Sequence, residues 1–418
     1  MASCGLDFGT SNTTLGVAGV GDLRLLPLDG ARPTLPSAVF FDFESGAVTV
    51  GQAAIDGYVS GVEGRLMRSI KSALGTGLID ADTALRSGRI TFREVIATFL
   101  RAAKERAEAQ AGAELDEVVL GRPVHFVDGD AAADAAAEEA LGAIARTLGF
   151  RNISFQFEPI AAALDYEQQV DAEELALIAD IGGGTSDFSI VRIGPERRGR
   201  ADRAADILAN DGIRIGGTDF DRDLSLATAM PLLGYGSPMK RNGLNAPNSP
   251  FLDLATWSKI NFLYTAKSLA ELRRLKQDSA APELIERLVG VVEHRLGHAL
   301  AMEVERTKIA LSDAPQAALT LDWGDDRLAR PVEVAELNDA TGALAGRIGA
   351  RVRACLAEAG TPADRIDALF LTGGSTQLPQ VRSAILAELP GARVVEGNIF
   401  GSVGLGLTVE AARRYGRA

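Results

Sequence analysis

The chain has 418 residues, 46% hydrophobic and 24% charged, a balance ordinary for a globular protein and unlike that of a disordered one. A net charge of −13 argues against a broad nucleic-acid footprint, which needs basic surface to neutralise phosphates, while the length allows two or three domain-sized units. No apolar run reaches bilayer length, no signal-peptide pattern opens the chain, and the two cysteines, Cys4 and Cys355, draw no disulfide framework and read as buried packing residues, so the expected setting is cytoplasmic, with no membrane and no nucleic acid.

In chain order, the first element is a hairpin from Leu6 to Val17: an apolar approach, Asp7, a glycine turn, hydroxyl residues and an apolar exit. Strands follow at Leu23 to Leu28, Ala38 to Phe43 and Ala47 to Val50. From Thr91 to Gln110 the period becomes helical, with Phe92, Val95, Ile96, Phe99 and Leu100 on one side and Gly112 as a stop signal. A strand at Val118-Val119-Leu120 leads through Gly121-Arg122-Pro123-Val124 to an Ala-rich helix from about Asp130 to Leu148. Ile153 to Phe157 is the next strand, and Glu158-Pro159 opens a helix whose small residues, Ala161 to Ala163, permit close packing. A second hairpin, Leu177 to Val191, encloses Asp180, the triglycine Gly182-Gly183-Gly184, Thr185 and Asp187. Strands alternating with helices predict an α/β layered sheet.

Beyond this hairpin, Gly194 to Ala204 reads as a solvated tip and Asn210-Asp211-Gly212 as a turn. Gly216-Gly217-Thr218-Asp219-Phe220-Asp221 leads into a helix, Pro231 to Pro250 is loop-like, and Trp257 to about Leu311 forms a separate helical subdomain. Strands return at Ala318 to Leu321 and Ala368 to Leu371, with helices at Val332 to Leu337, Thr341 to Ala359 and Leu378 to Leu389. His294 and His298 lie four apart on a helix, but with His125 remote and no third ligand evident the histidines read as helical surface rather than a metal site.

The two hairpins carry the chemistry. Glycine has no Cβ and accepts backbone angles that turn several N–H groups toward one point, forming an anion-binding nest. Thr and Ser add hydroxyl donors, and an Asp just before the glycines suits a hard cation such as Mg²⁺, held directly or through water. Asp7 and Asp180 stand 173 residues apart, so the chain uses one device twice. Facing each other, two such loops would clamp a polyphosphate; the N-terminal copy alone reads equally as a β-hairpin with a glycine turn, whereas the triglycine copy with Asp on both flanks favours the phosphate and metal reading.

Asp7-Phe8-Gly9-Thr10, Glu158-Pro159, Asp180 to Asp187, Gly216 to Asp221 and Leu371-Thr372-Gly373-Gly374-Ser375-Thr376-Gln377-Leu378-Pro379 together resemble the nucleotide-binding domain of the seventy-kilodalton heat-shock chaperones. This is the DnaK-like branch of the actin and sugar-kinase superfamily, and the resemblance runs from about Leu6 to Leu407. Length and the phrase Gly121-Arg122-Pro123-Val124 bring the short YegD-like members nearest. The resemblance implies an actin-like ATPase fold: two lobes, 1–175 and 176–418, each with a ribonuclease-H-like mixed sheet, small capping subdomains, a helical subdomain at about 218–312, and a nucleotide cleft. It further implies binding of ATP or ADP with Mg²⁺, weak ATP hydrolysis, and a client or co-chaperone as partner.

Carried over by residue, Gly9, Thr10, Ser11 and Asn12 would meet the β- and γ-phosphates from one side and Gly182, Gly183, Gly184 and Thr185 from the other. Asp7 and Asp180 would hold Mg²⁺ through its waters. Lys71 would position the attacking water, with Glu158 and Asp187 orienting water and metal, and Thr10 is also assigned to the catalytic set. Gly216 and Gly217, the helical set Glu305, Lys308 and Ser312, and Gly373, Gly374 and Ser375 would surround base and ribose. The pattern departs from the family at Ile309 and Gln377, where basic residues are expected, and in Asn398-Ile399-Phe400-Gly401-Ser402, which lacks an aspartate. Ending at Ala418, the chain is expected to carry no peptide-binding domain. A nucleotide-driven switch is the leading reading; a small-molecule kinase, which needs an acceptor pocket beside the γ-phosphate, and an actin-like filament protein are the alternatives.

Overall fold

The computed structural model describes residues 2–19, 22–86, 88–127, 129–200, 202–241, 243–323, 326–395 and 401–416. The chain forms two compact units, one of Met1–Ile213, Arg351–Gly374 and Glu388–Ala418, the other of Arg214–Ala350 and Ser375–Ala387.

The first unit builds one sheet design twice. Strands β1 (Ala2–Phe8), β2 (Asn12–Gly19) and β3 (Asp22–Leu25) make an antiparallel meander, and β4 (Leu115–Arg122) and β5 (Asn152–Phe157) add in parallel beyond β1, giving the order β5-β4-β1-β2-β3. In the second sheet β6 (Glu174–Ile181), β7 (Ser186–Ile193) and β8 (Ile207–Ile213) repeat the meander, and β9 (Ala368–Thr372) and β10 (Arg393–Val395) add in parallel beyond β6, giving β10-β9-β6-β7-β8. The central strands β1 and β6 are covered on both faces, which is why they read as apolar runs rather than alternating patterns.

Helix α1 (Phe92–Ala111) starts on a capping box between Thr91 and Glu94 and stops at Gly112, whose backbone is left-handed. Its apolar face, Val95, Ile96, Phe99 and Leu100, is buried in one core with Cys4, Leu6 and Phe8 of β1, and helix α2 (Ala131–Thr147) adds Leu141 and Ile144 to it. Helix α3 (Glu158–Glu167) follows β5; α4 (Val334–Glu358) precedes β9; α5 (Ser402–Tyr415) closes the described chain.

Helices α3 and α5 share a second core, in which Ile160, Ala161 and Leu164 meet Val403, Leu407 and Ala411. The small residues let these helices approach as the sequence predicts: a Cβ on Gly406 would stand 1.8 Å from the Ala161 carbonyl oxygen. Replacing Gly406 with Ala must therefore push α5 off α3. We expect a loss of about 3 kcal/mol, the upper end of overpacking costs, measured as a drop in denaturant midpoint.

The second unit carries helices Gly217–Thr228, Ala266–Asp278, Pro282–Glu293 and Gly297–Ala310, and the antiparallel pair Gln316–Trp323 and Asp326–Glu333. Among the described residues no helix is long and apolar enough to cross a membrane.

Several expectations are corrected. Asn210-Asp211-Gly212 is not a turn but lies inside β8, held by register to Ser189, Phe188 and Asp187. The stretch Gly194 to Ala204 is not simply solvated: Arg203, 2% exposed, donates twice to Glu167 at 3.0 and 2.8 Å and pairs with Asp206. Buried carboxylates at both Glu167 and Asp206 pull that arginine inward. The two helices expected at Val332 to Leu337 and Thr341 to Ala359 are one, α4, preceded by a strand that continues to Glu333. His298 is buried edge-on against Trp257 at a ring separation of 4.7 Å, not on the surface. Asn398, Ile399 and Phe400 lie outside the described residues.

Candidate functional site

Register fixes what the hairpins present. In the first, Asp7 lies opposite Thr14 and Phe8 opposite Thr13, leaving Gly9 to Ser11 as the turn between strands. In the second, Asp180 lies opposite Asp187 and Ile181 opposite Ser186, with the Gly182 N–H bonded to the Thr185 carbonyl at 2.9 Å. The devices are thus equivalent in position, with one divergence: the second hairpin has a carboxylate, Asp187, where the first has Thr14. Their tips come together, since a Cβ on Gly183 would fall 2.3 Å from Ser11 Oγ. Gly373, at φ +81°, follows β9 closely enough that a Cβ there would stand 2.8 Å from an Asp180 carboxylate oxygen.

Lys71 reaches this place through an unusual backbone. Ser69 adopts a left-handed conformation at φ +54°, uncommon without glycine, and turns the chain from strand Gly64–Arg68 into a 3₁₀ turn, Ile70–Ala73. Buried Ile70 and Ala73 anchor the turn. The Lys71 ammonium donates to Glu158 Oε1 at 2.7 Å, with side-chain exposures of 10% and 17%. Glu158 is the first residue of α3 and Pro159 the second, an arrangement that suits a helix start because the dipole favours an acid there and proline lacks a donor that would be wasted.

Four carboxylates and one ammonium share the neighbourhood, so negative charge is in excess. Burial pushes Asp7 up to about 8, helped by Glu158 and Asp180 and opposed by Lys71. Burial likewise pushes Asp180 up to about 7, helped by Asp187 and Glu158. For Lys71 burial works downward, but Glu158, Asp7 and Asp180 outweigh it and the ammonium is held more firmly than usual.

Sequence reading missed Ser37. This residue is 2% exposed and sits behind the first hairpin turn. Its Oγ donates to the Gly9 carbonyl at 2.7 Å and lies 3.0 Å from Thr13 Oγ1, while its N–H donates to the Ser11 carbonyl at 2.8 Å. No periodicity or motif announces it; only Pro36, ending a short segment paired to β2, marks an edge. We expect Ser37→Ala to leave the Gly9 carbonyl unpaired, lowering stability by about 1–2 kcal/mol and weakening triphosphate binding more than nucleoside binding. Parallel titrations with ATP and adenosine check this.

In the second unit, Gly216 and Gly217 open the helix Gly217–Thr228, with the Gly216 N–H donating to Asp219 at 3.0 Å. Lys308 is buried and its ammonium is engaged there, 2.8 Å from Asp221 and 3.3 Å from the Gly217 carbonyl. Glu305 is half-buried on the same helix, but Ser312 lies past its last residue, Ala310, so the expected three-residue helical face does not hold. The loop after Ile309 tightens into a turn instead, with the Ser312 N–H bonded to the Ile309 carbonyl at 3.1 Å. Ile309 is 58% exposed and Gln377 is exposed. Ser375 is buried and Gly374 exposed.

A cavity of about 370 Å³ opens beside the carboxylates in the first unit. Glu158, Asp180 and Asp187 line it, together with Thr372 and the Asn210-Asp211-Gly212 segment of β8.

Mixed sheets repeated in tandem, each presenting an aspartate at a glycine hairpin, define an actin-like ATPase fold. The chain belongs to the Hsp70 protein family: the family model matches residues 77–229 and 291–396, well over half of it. Similar curated relatives include the chaperone protein HscA homolog of Shewanella sp. (strain MR-7), 25% identical over 428 residues, covering 97% of this chain and 57% of the relative. The chaperone protein HscA homolog of Laribacter hongkongensis (strain HLHK9) is 29% identical over 400 residues, covering 91% and 53%. The chain therefore spans a little more than half the length of these relatives. The matched family region is the nucleotide-binding domain.

Proposed function

We propose that this chain binds ATP and ADP with Mg²⁺, hydrolyses ATP slowly, and acts as a chaperone-like conformational switch that reports its nucleotide state to a client or co-chaperone. In this reading residues 1–175 and 176–418 work as lobes, each owning one mixed sheet. The observation that carries it is the 2.7 Å Lys71–Glu158 pair set among Asp7 and Asp180 beside two hairpin tips in near contact. Phosphoryl transfer to water needs little covalent help from protein; it needs positioning and positive charge against the developing negative charge.

The donor set fits magnesium. Among the described residues no three His, Cys, Asp or Glu side chains converge into a protein-only cage. Mg²⁺ keeps several waters and takes one or two carboxylates plus phosphate oxygens, so Asp7 and Asp180 suffice to hold it. Asp7 and Asp180 would hold the ion where it would supply positive charge against the phosphates. Hairpin N–H groups and the Thr10 and Ser11 hydroxyls orient the phosphates, Lys71 supplies a fixed cation, and Glu158 holds Lys71 in place and accepts a hydrogen bond from the attacking water. Gly216, Gly217, Glu305, Lys308, Gly373, Gly374 and Ser375 are proposed for the nucleoside side, where Ile309 and Gln377 in place of basic residues leave weaker grip on the base.

The test combines ADP production with limited trypsin digestion in the presence of ATP, ADP or no nucleotide. Slow turnover with a distinct digestion pattern for each state supports the switch. Turnover with identical patterns removes the switch and leaves an ATPase.

A further inference from the structure

The segment Gly121-Arg122-Pro123-Val124 leaves β4 beside the reacting centre, and the nucleotide reading uses none of its residues. Pro123 and Val124 line the cavity that Glu158 and Asp180 also line. Gly121 faces Glu158 directly: a Cβ there would stand 3.3 Å from Glu158 Cγ and 3.5 Å from Glu158 Oε1, so the missing side chain makes room for the carboxylate that meets Lys71. Arg122 is the last residue of β4 and, by the alternation of a strand, points to the other face. Its register partner is Phe157, the residue before Glu158.

Arg122 binds three elements into one body. Its Nε donates to the Pro123 carbonyl at 3.1 Å, its Nη2 to the Val124 carbonyl at 3.2 Å and to Asp134 Oδ2 at 2.7 Å, and its Nη1 to Glu138. Asp134 and Glu138 both stand on α2. The flat guanidinium also lies over the Phe157 ring at 5.1 Å and the Phe126 ring at 5.4 Å. Asp134 accepts from the Phe126 N–H as well. Burial would raise its carboxyl, but the bonds from Arg122 and Phe126 outweigh that and hold it below the usual carboxylate range. Fastening α2 alone does not explain such a residue. With a side chain only 14% exposed, the arginine gives up most of its hydration, and an apolar side chain holds a helix to a sheet at least as well. What an apolar residue cannot do is grip two successive carbonyls of the cavity wall, and the ring preceding Glu158, with one rigid fork.

We propose that this segment is a positioning element for ATP hydrolysis, in which Arg122 fixes Phe157 and the Pro123-Val124 wall so that Glu158 stays on Lys71 and at the attacking water; the proposal deepens the nucleotide reading above and rests on it. Arg122 is a positioning residue, acting through Glu158. Because Glu158 opens α3 immediately after Phe157, a tilt of that ring carries over to the carboxylate. A displacement of about 1 Å at a reacting group costs as much as roughly 10²-fold in rate, and none of the bonds of Arg122 described above reaches the hairpin tips that hold the phosphates. The effect therefore falls on turnover and not on ATP affinity.

The test uses the full 418-residue chain and compares the parent with Arg122→Lys in ATP turnover, KM, ATP affinity by titration and thermal melting. Lysine keeps an ion pair with α2 but lacks the fork. The expected result is turnover lowered about 10–10²-fold, with KM and ATP affinity changed by less than about threefold. Ile144→Ala, a core truncation further along α2, sets the scale for lost stability alone and should turn over like the parent when assayed below its melting temperature. Should Arg122→Lys fail to fold by circular dichroism, Gly121→Ala replaces it: its methyl presses on Glu158 and Leu407 without breaking an ion pair, and should lower turnover with KM likewise unmoved. Parent-like turnover in Arg122→Lys, or in Gly121→Ala where that stands in, overturns the proposal and leaves the nucleotide reading standing. So does an equal loss of turnover in Ile144→Ala, or a raised KM with kcat unchanged in Arg122→Lys. A parent that binds ATP without turning it over, or that does not bind it, overturns this proposal together with the hydrolytic half, or the whole, of that reading.

Discussion

Lys71→Ala is expected to lower ATP turnover by about 10²–10³-fold while ATP affinity changes far less. The ammonium is one preorganised cation aimed where charge develops, and losing one such group at a reacting centre carries a penalty of that order. Its geometry argues for catalysis over ground-state binding: Lys71 Nζ is held by Glu158 at 2.7 Å, on the carboxylate side of the site rather than at either hairpin tip. Turnover should fall with little change in KM, the signature of an interaction made mainly in the transition state. Removing the lysine also strips Glu158 of its partner. A Lys71→Ala/Glu158→Gln double variant separates the two effects: if Glu158 acts through Lys71, the double variant turns over no more slowly than the single one.

Asp180→Asn is expected to stabilise the nucleotide-free protein and to cripple the loaded one. Burial, Asp187 and Glu158 raise Asp180 to about 7, and burial with Glu158 raises Asp7 to about 8. A carboxylate whose folded value lies above its unfolded one contributes stability that is present below the unfolded value, near 4, and is lost as pH climbs through the folded value. Without nucleotide, the protein should therefore weaken as pH rises from about 4 to about 8. The amide introduced by the substitution has no charge to be penalised, so variant and parent should melt alike only below about pH 4, and the variant should gain on the parent as pH rises from there. At pH 8 the variant should be more stable by about 1–2 kcal/mol, water at the half-buried carboxylate screening the rest. Mg²⁺-dependent ATP binding should weaken by about 10–100-fold, the usual range for disturbing groups that orient a bound metal. If Asp7 and Asp180 hold the metal as proposed, loading would strip protons from both, and Mg²⁺·ATP affinity is expected to rise between about pH 6 and 8. Titrations in buffers of different ionisation enthalpy should show the released protons.

Much of this was legible in residue order. The hairpins announced themselves because glycine turns, aspartates and hydroxyls occur in the same sequence between apolar strands, and β1 and β6 take equivalent places in two sheets of matching strand order. Small residues at Ala161 to Ala163 signalled a close helix contact, and Gly406 supplies the matching gap. Other features depend on contacts that no local pattern encodes. Ser37 matters because folding carries it behind a turn 28 residues earlier. Ser69 sits in a glycine-like conformation that its side chain gives no hint of. Asn210-Asp211-Gly212 has turn chemistry but is overridden by pairing with β7 across the sheet. Arg203 reads as a surface cation until Glu167 and Asp206 are found beside it.

The most direct measurement is calorimetric titration of the chain with ATP and with ADP, each with and without Mg²⁺. Opposed hairpins gripping a metal-bridged triphosphate require one-to-one ATP binding that tightens at least tenfold when Mg²⁺ is added and that is lost with Asp7→Asn/Asp180→Asn. ATP affinity indifferent to Mg²⁺, or unchanged in that double variant, would contradict it.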